Sequence, residues 1–216
     1  EWNITIPTGL PGSVRKVVLG DRVVGTRVTN TEVNSWAFSL KPGQEGKLLF
    51  SNTWDAPAEW VTENLAPSMG QLSLEYDVFT LVIPQLRQYY GFSIETGQQI
   101  WGPTDPQHYL DYYVMGGFLC DDKFLSSGMS GIIYCYDVTT GKLLWTYPSA
   151  DPYTEILWSN NWPMRPLIFT DGKLYITHSE HSSGSQPNAS LARAYLANNT
   201  GKEIFRINGA FRGTEW

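Results

Sequence analysis

Apolar and polar residues alternate with a period of two through most of this chain, in short runs bounded by Gly, Asp, Asn and Thr. The clearest stretch is GGFLC (116–120), a turn at Asp121-Asp122-Lys123, FLSS (124–127), a second turn at 128–130, IIYCYDV (132–138), the turn Thr139-Thr140-Gly141-Lys142, and LLWTY (143–147). Side chains of a strand point alternately to its two faces, so this period predicts strands; a helix would need apolar residues three and four apart. β-branched and aromatic residues crowd the same runs, which favours the same choice. Tight turns between consecutive runs predict an up-and-down meander of four strands. A similar plan is read at 166–169, the turn Thr170-Asp171-Gly172-Lys173, 174–178, 193–196 and 203–207, and at 14–19 and 23–28 on either side of Gly20-Asp21-Arg22. The least regular copy has strands predicted at 72–76, 78–83 and 89–94, with Pro84 at a bulge or at the end of pairing.

Four segments repeat one another: WAFSLKPGQEGKLLF (36–50), YGFSIETGQQIW (90–101), YCYDVTTGKLLW (134–145) and AYLANNTGKEIF (194–205). In each, alternation runs into a turn ending in glycine, and an aromatic follows four residues later: Gly46/Phe50, Gly97/Trp101, Gly141/Trp145 and Gly201/Phe205. A repeat of about 50 residues built of strands predicts a β-propeller, an all-β array of small four-stranded antiparallel sheets. About four blades are expected, near 14–54, 70–105, 115–149 and 165–208, with 1–7 as the outer strand of a preceding blade, which favours part of a larger propeller over a closed ring of four. The glycine of each turn is expected to take a positive φ, which a Cβ penalises. Asp55-Ala-Pro57, Asp105-Pro106 and Asp151-Pro152 follow the closing aromatics and predict short helical turns between blades, the Asp capping free amides.

The run Cys135-Tyr-Asp137-Val-Thr-Thr140-Gly141-Lys-Leu-Leu-Trp145 resembles the repeat of the PQQ-like, or quinoprotein-type, β-propellers, Ala-x-Asp-x-x-Thr-Gly-x-x-x-Trp. Cys135 stands for the Ala. The second copy keeps Thr96, Gly97 and Trp101 but has Gly91 and Ser93 for Ala and Asp; the fourth keeps Ala194, Thr200 and Gly201 with one extra residue and Phe205 for Trp; the first keeps Ala37, Gly46 and Phe50. The resemblance implies a propeller of seven or eight blades, in which the Thr-Gly turns and closing aromatics dock neighbouring blades and bind no quinone. Some members of that family are calcium- and PQQ-dependent dehydrogenases, others cofactor-free scaffolds and surface proteins. For the dehydrogenases it implies a vicinal Cys-Cys pair over the quinone, a Glu/Asn pair and a catalytic Asp around Ca²⁺, and a Trp floor. The chain has no adjacent cysteines, and no calcium triad aligns.

Composition narrows the function classes. The 216 residues are 42% hydrophobic and 14% aromatic, enough to bury a core, and no apolar run reaches the length of a membrane-spanning helix. With 15 basic and 21 acidic residues, the net charge of −6 argues against a surface that tracks nucleic-acid phosphates. Without an initiating Met or a signal pattern, the chain is expected to begin at a processed or cut end. Cys120 and Cys135 fall in the first and third strands of one blade, about two strand spacings or roughly 10 Å apart, which predicts two buried free thiols. Sequons at Asn3, Asn188 and Asn198 point to an exported, extracellular or cell-surface chain.

The meander decides which loops share a side. First-to-second and third-to-fourth turns lie on one side, and these are tight. Second-to-third connections and blade linkers lie on the other, which receives the long aromatic loops: 52–70 with Trp54 and Trp60, 103–115 with His108, Tyr109, Tyr112 and Tyr113, and 149–165 with Trp158, Asn160, Asn161, Trp162 and Arg165. Such aromatics either plug the spaces between blades or form a binding face, where rings stack on a sugar or peptide beside hydrogen-bonding Asn and Arg. The ligand-binding candidates are therefore Trp60, Tyr109, Tyr112, Trp158, Asn160, Asn161, Trp162 and Arg165. His178 and His181 are of metal-ligand type, but without a third ligand they are expected to be solvated. With no nucleophile elbow, phosphate loop or Cys-x-x-Cys, the expectation is a non-catalytic binding or scaffolding propeller with protein partners, which include the remaining blades. A quinoprotein dehydrogenase fragment using PQQ and Ca²⁺, and a glycan-binding surface domain, are the alternatives.

Overall fold

The computed structural model describes residues 9–113, 115–148, 164–178, 192–197 and 200–207. They form four separate four-stranded antiparallel sheets, each a meander in chain order. The first sheet comprises β1 (Ser13–Val18), β2 (Arg22–Val28), β3 (Glu32–Ser39) and β4 (Leu48–Asp55). After the short helix α1 (Ala58–Thr62) comes the second sheet, β5 (Ser68–Ser73), β6 (Val78–Ile83), β7 (Gln88–Ser93) and β8 (Gln99–Trp101). A 3-10 turn at Tyr109–Tyr112 precedes the third sheet, β9 (Met115–Cys120), β10 (Lys123–Gly128), β11 (Ile132–Asp137) and β12 (Leu143–Pro148). The fourth contains β13 (Met164–Thr170), β14 (Lys173–His178), β15 (Ala192–Ala197) and β16 (Glu203–Ile207). The chain divides into two compact units, Glu1–Thr104 and Asp105–Trp216, with two blades in each.

Local chemistry explains why the third-to-fourth turn recurs. The last residue of the third strand accepts the glycine amide: Gly46 to Ser39, Gly97 to Ser93 and Gly141 to Asp137, at 2.8–2.9 Å. Its side chain then organises the turn. Asp137 Oδ1 accepts the backbone N–H groups of Thr139 and Thr140 at 3.0 and 2.9 Å, and both hydroxyls as well. Ser93 Oγ does the same work for Glu95 and Thr96, at 3.0 and 3.2 Å. Ser93 thus fills the role of the motif's Asp, because a hydroxyl oxygen two or three residues before a free N–H closes the same kind of ring as a carboxylate. All four turn glycines have φ between +64° and +78°. Both kinds of turn lie on one side of the sheet, as the meander requires: Leu40, Ile94 and Val138, each just past a third strand, donate to the carbonyls of Asp21, Asp77 and Asp122 in the first-to-second turns.

A β-bulge precedes every closing aromatic. Ala37 pairs with Phe50 and Phe38 with Leu48; Gly91 with Trp101 and Phe92 with Gln99; Cys135 with Trp145 and Tyr136 with Leu143; Tyr195 with Phe205 and Leu196 with Glu203. One residue is left over each time, Leu49, Ile100, Leu144 and Ile204, and all four are exposed. The bulge sharpens the local twist and re-aims the ring that follows. Small residues oppose the ring in the first three blades, and at Gly91 a Cβ would lie 2.1 Å from the Trp101 indole. In the fourth blade the residue opposite Phe205 is Tyr195, which corrects the alignment on Ala194. Once Tyr195 matches Cys135, Thr200 falls in step with Thr140 and no residue is extra.

Two other expectations are corrected. The first strand of blade 2 covers Ser68–Ser73 rather than 72–76. A bulge between Met69 and Leu72 breaks the alternation there, and Thr80 Oγ1 holds it by accepting the Gln71 N–H at 2.8 Å. Nor do the linker aspartates cap helices. Asp55 remains paired with Glu32 at the end of β4, and α1 starts behind Pro57 without a side-chain cap; Asp105 lies ahead of a turn capped by His108. The residue before a proline is held extended, so Ala56 and Asp105 cannot open a helix. Asp151-Pro152 lies outside the described residues.

In each unit the earlier blade's aromatic rests on the later blade's turn glycine. The Phe50 ring would lie 2.8 Å from a Cβ on Gly97, which Ser35 Oγ also crowds at 2.2 Å, and Asn52 Nδ2 donates to the Gly97 carbonyl at 2.9 Å. Arg22 spans the same joint, with Nη1 donating to the Ile94 carbonyl and Nη2 3.6 Å from Glu95. The Trp145 ring lies 2.4 Å from where a Gly201 Cβ would stand, and the Tyr147 hydroxyl donates to Glu203 nearby. Behind these contacts are the apolar cores, Val33 with Phe79, Leu81 and Phe92 in the first unit and Leu125, Ile133 and Cys135 with Leu174 and Ile176 in the second.

Candidate binding surface

The linker aromatics divide into two kinds. Trp60, on α1, is fully buried and packs edge-on to Tyr90 at 5.4 Å and tilted to Trp54 at 5.6 Å; Trp54 in turn meets the edge of Phe92. Trp60 therefore belongs to the core between blades 1 and 2, not to an exposed face. The 105–113 linker does the opposite. Tyr109, Tyr112 and Tyr113 are 68%, 49% and 72% exposed, whereas Gln107, Leu110 and Asp111 are buried. The two sets interleave at spacings of three and four, so one side of the turn faces the sheet and the other presents phenol rings to solvent.

Hydrogen bonds fix this turn to blade 3. Gln107 Nε2 donates to the Tyr136 hydroxyl at 2.9 Å, and its Oε1 accepts from Ser126 Oγ at 3.1 Å. The His108 N–H donates to the Tyr134 hydroxyl at 3.0 Å, and His108 Nδ1 accepts the Leu110 N–H. Asp111 Oδ1 accepts the Ser130 N–H at 2.8 Å, and Oδ2 accepts the Ser130 hydroxyl at 3.0 Å. Burial pushes the Tyr134 phenol above its ordinary value, and the nearby Asp111 charge adds to that push, so Tyr134 stays a neutral donor and acceptor. With its anchors buried, the turn presents its rings from a fixed base. The His108 and Tyr109 rings lie 4.4 Å apart and tilted, and the Tyr112 and Tyr113 rings lie 5.5 Å apart and nearly perpendicular, at 83°.

The other sequence-derived candidates are placed as follows. Arg165 lies on β13 opposite Thr177. Trp158, Asn160, Asn161 and Trp162, and the sequon residues Asn3, Asn188 and Asn198, lie outside the described residues. The anchors Gln107, Asp111, Ser130, Tyr134 and Tyr136 were not candidates. The sequence signal for the turn was the pairing of Tyr at 109, 112 and 113 with Gln, Leu and Asp at 107, 110 and 111.

The quinone and calcium site implied by the resemblance does not fit the residues described. Cys120 on β9 and Cys135 on β11 are separated by the whole of β10, and both are buried thiols outside any disulfide. Burial pushes each thiol up to about 12. Among the described residues no three His, Cys, Asp or Glu side chains converge as a metal site would require, and no helix is long and apolar enough to cross a membrane.

No protein-family profile matches the chain, and neither does any curated protein. Solved structures do. A europium-containing methanol dehydrogenase matches with 13% identity and a TM-score of 0.55, over 90% of this chain and 42% of that one. BamB from Moraxella catarrhalis matches with 14% identity and a TM-score of 0.42, over 87% and 61%, and the computationally designed Ika4 protein with 12% and 0.46, over 90% and 99%. The chain thus spans less than two thirds of the length of the first two. Likeness at this identity speaks for architecture alone, and the match to the methanol dehydrogenase, together with the four meanders, makes the chain an all-β β-propeller fold.

Proposed function

We propose that this chain is a non-catalytic binding or scaffolding propeller of an extracellular or cell-surface assembly, and that the 105–113 turn meets the partner. The observation that carries this reading is the exposure of three tyrosines on a turn whose other side is locked to blade 3. Large rings cost little entropy when their base is already ordered, and tyrosine is enriched where binding energy concentrates. BamB and the methanol dehydrogenase show that related architecture occurs in unlike proteins, so the assignment rests on the surface itself. The sequons Asn3, Asn188 and Asn198 support export.

The test uses the full chain as bait against a displayed random-peptide library and, in parallel, a glycan array. Recovered ligands should lose about tenfold in affinity, roughly 1.4 kcal/mol, against the Tyr109→Ala, Tyr112→Ala double variant. Recovery of no ligand from either source, or only of ligands indifferent to the substitutions, would overturn the reading. A glycan that depends on the tyrosines keeps the surface and makes the partner a carbohydrate.

A further inference from the structure

We propose that the exposed peptide bond between Asp105 and Pro106 is an acid-triggered self-cleavage site, at which the Asp105 carboxyl cuts its own main chain. The first ground is local chemistry. A side-chain oxygen of Asp105 reaches the carbonyl carbon of the same residue through a five-membered ring. Before most residues a competing reaction intervenes, in which the next main-chain nitrogen loses its hydrogen and closes on the side chain. Pro106 has no N–H, so that route is shut. Its nitrogen belongs to a tertiary amide and departs as a basic secondary amine, a good leaving group once it holds a proton.

Placement is the second ground. Asp105 and Pro106 are both exposed, while Thr104 and Gln107 on either side are buried and held. The Thr104 N–H donates to the Tyr89 carbonyl at 3.0 Å, its Oγ1 accepts the Tyr89 N–H at 3.1 Å, and its carbonyl accepts from Gln88 Nε2 at 2.8 Å. Gln107 is fixed by the Tyr136 and Ser126 hydroxyls. The main chain is thus ordered up to both ends of the bond, and attack requires only the rotation of one exposed side chain. Among the described residues no hydrogen bond or ion pair engages the Asp105 carboxyl. The titratable groups around it are Tyr89 on β7, His108 and Asp111 in the linker, and Tyr134 and Tyr136 on β11. Of these, His108 Nδ1 accepts the Leu110 N–H and Asp111 accepts from Ser130.

Once protonated, the Asp105 carboxyl carries the proton that the leaving nitrogen needs. Its oxygen bonds to the Asp105 carbonyl carbon while that proton passes to the Pro106 nitrogen. The C–N bond then breaks, its electron pair staying on nitrogen, and Asp105 is left as a cyclic anhydride. One water opens the anhydride to two carboxyls. The net change is hydrolysis of one peptide bond, without oxidation or reduction, and it yields residues 1–105 and 106–216.

The experiment follows the full chain by intact-mass spectrometry at about pH 7 and at the lowest pH at which circular dichroism still shows it folded. The two fragments should form at least about tenfold faster in acid than at neutral pH. Asp105→Asn, which removes the acidic oxygen, and Pro106→Ala, which restores an ordinary amide, should each slow the cut about tenfold or more. Asp151-Pro152, the other such pair in the chain, serves as an internal control for exposure to acid and should be indifferent to both substitutions. Cutting at Asp151-Pro152 alone, cutting at neither bond, or cutting after Asp105 only when guanidinium unfolds the chain overturns the proposal. So does an Asp105→Asn variant cut as fast as the parent. Attack within one residue is first order, so a rate that rises with chain concentration, or that an acid-protease inhibitor abolishes, overturns it too.

Discussion

Gly201 and Gly172 have almost the same backbone twist, φ +64° and +65°, yet differ in what stands over them. A Cβ on Gly172 would meet nothing within 4 Å, whereas one on Gly201 would enter the Trp145 indole. Gly172→Ala should therefore cost only the left-handed conformation, about 1–2 kcal/mol, and Gly201→Ala that cost plus about 1–3 kcal/mol of overpacking, compared by urea denaturation. Asp137 offers a second test. Partial burial pushes its carboxyl up, but the hydrogen bonds from Thr139 and Thr140 outweigh this and hold it below the ordinary 3.8. A depressed pKa means that the folded chain holds its proton less tightly than the unfolded one. The resulting stability is complete above pH 4 and is lost as pH falls through the folded value. Asp137→Ser should keep the turn, as Ser93 does, and the advantage of the parent over this variant should shrink below about pH 4 in thermal denaturation. The Thr-Gly turns could be read in advance because their hydrogen bonds are local. The equivalence of Ser93 to Asp137 could not, since the motif names a residue while the turn needs only an acceptor.

Among the elements, α1 and the 3-10 turn show why linker aromatics are hard to assign from sequence. Trp60 and Tyr109 both lie in linkers after a closing aromatic, yet one is core and the other surface. Their fates depend on which neighbouring blade offers an apolar gap, and that is a property of the packed structure. The interleaving of Gln107, Leu110 and Asp111 with the tyrosines is the one local signal of the turn, and a reading of the loop by its aromatics alone passes it over. Trp60→Ala should cost about 3–5 kcal/mol by emptying a closed site. Asp111→Ala, which strands the Ser130 donors, should cost about 2–3 kcal/mol, and Tyr109→Ala should stay within about 0.5 kcal/mol, all by chemical denaturation. Comparable losses for Tyr109 and Trp60 would show that the turn is a structural plug.

For the molecule as a whole, the strand repeat foretold the architecture, since a period of two fixes the strands and a longer period fixes the blades. The division after Thr104 has no counterpart in that repeat, which treats every linker alike. The thiols report on the second unit. With Cys120 and Cys135 buried and pushed up to about 12, iodoacetamide at pH 8 should leave both unmodified in the folded chain and label both once guanidinium unfolds it, without reductant. Folding keeps these protons longer than the unfolded chain does, so their contribution is intact below pH 9 and declines as pH rises towards about 12. Equal labelling rates with and without denaturant would disprove the buried placement.

At each joint the ring of Phe50 or Trp145 comes from the earlier blade and the bare backbone of Gly97 or Gly201 from the later one. Such a contact is heterologous: the earlier blade of each unit offers the plug and the later one the socket, and neither flank is its own complement. Two copies of one flank cannot mate about a two-fold axis, because ring would meet ring and turn would meet turn. Association through these flanks can only run head to tail, in a single direction, and stops when the sequence of plugs and sockets closes on itself.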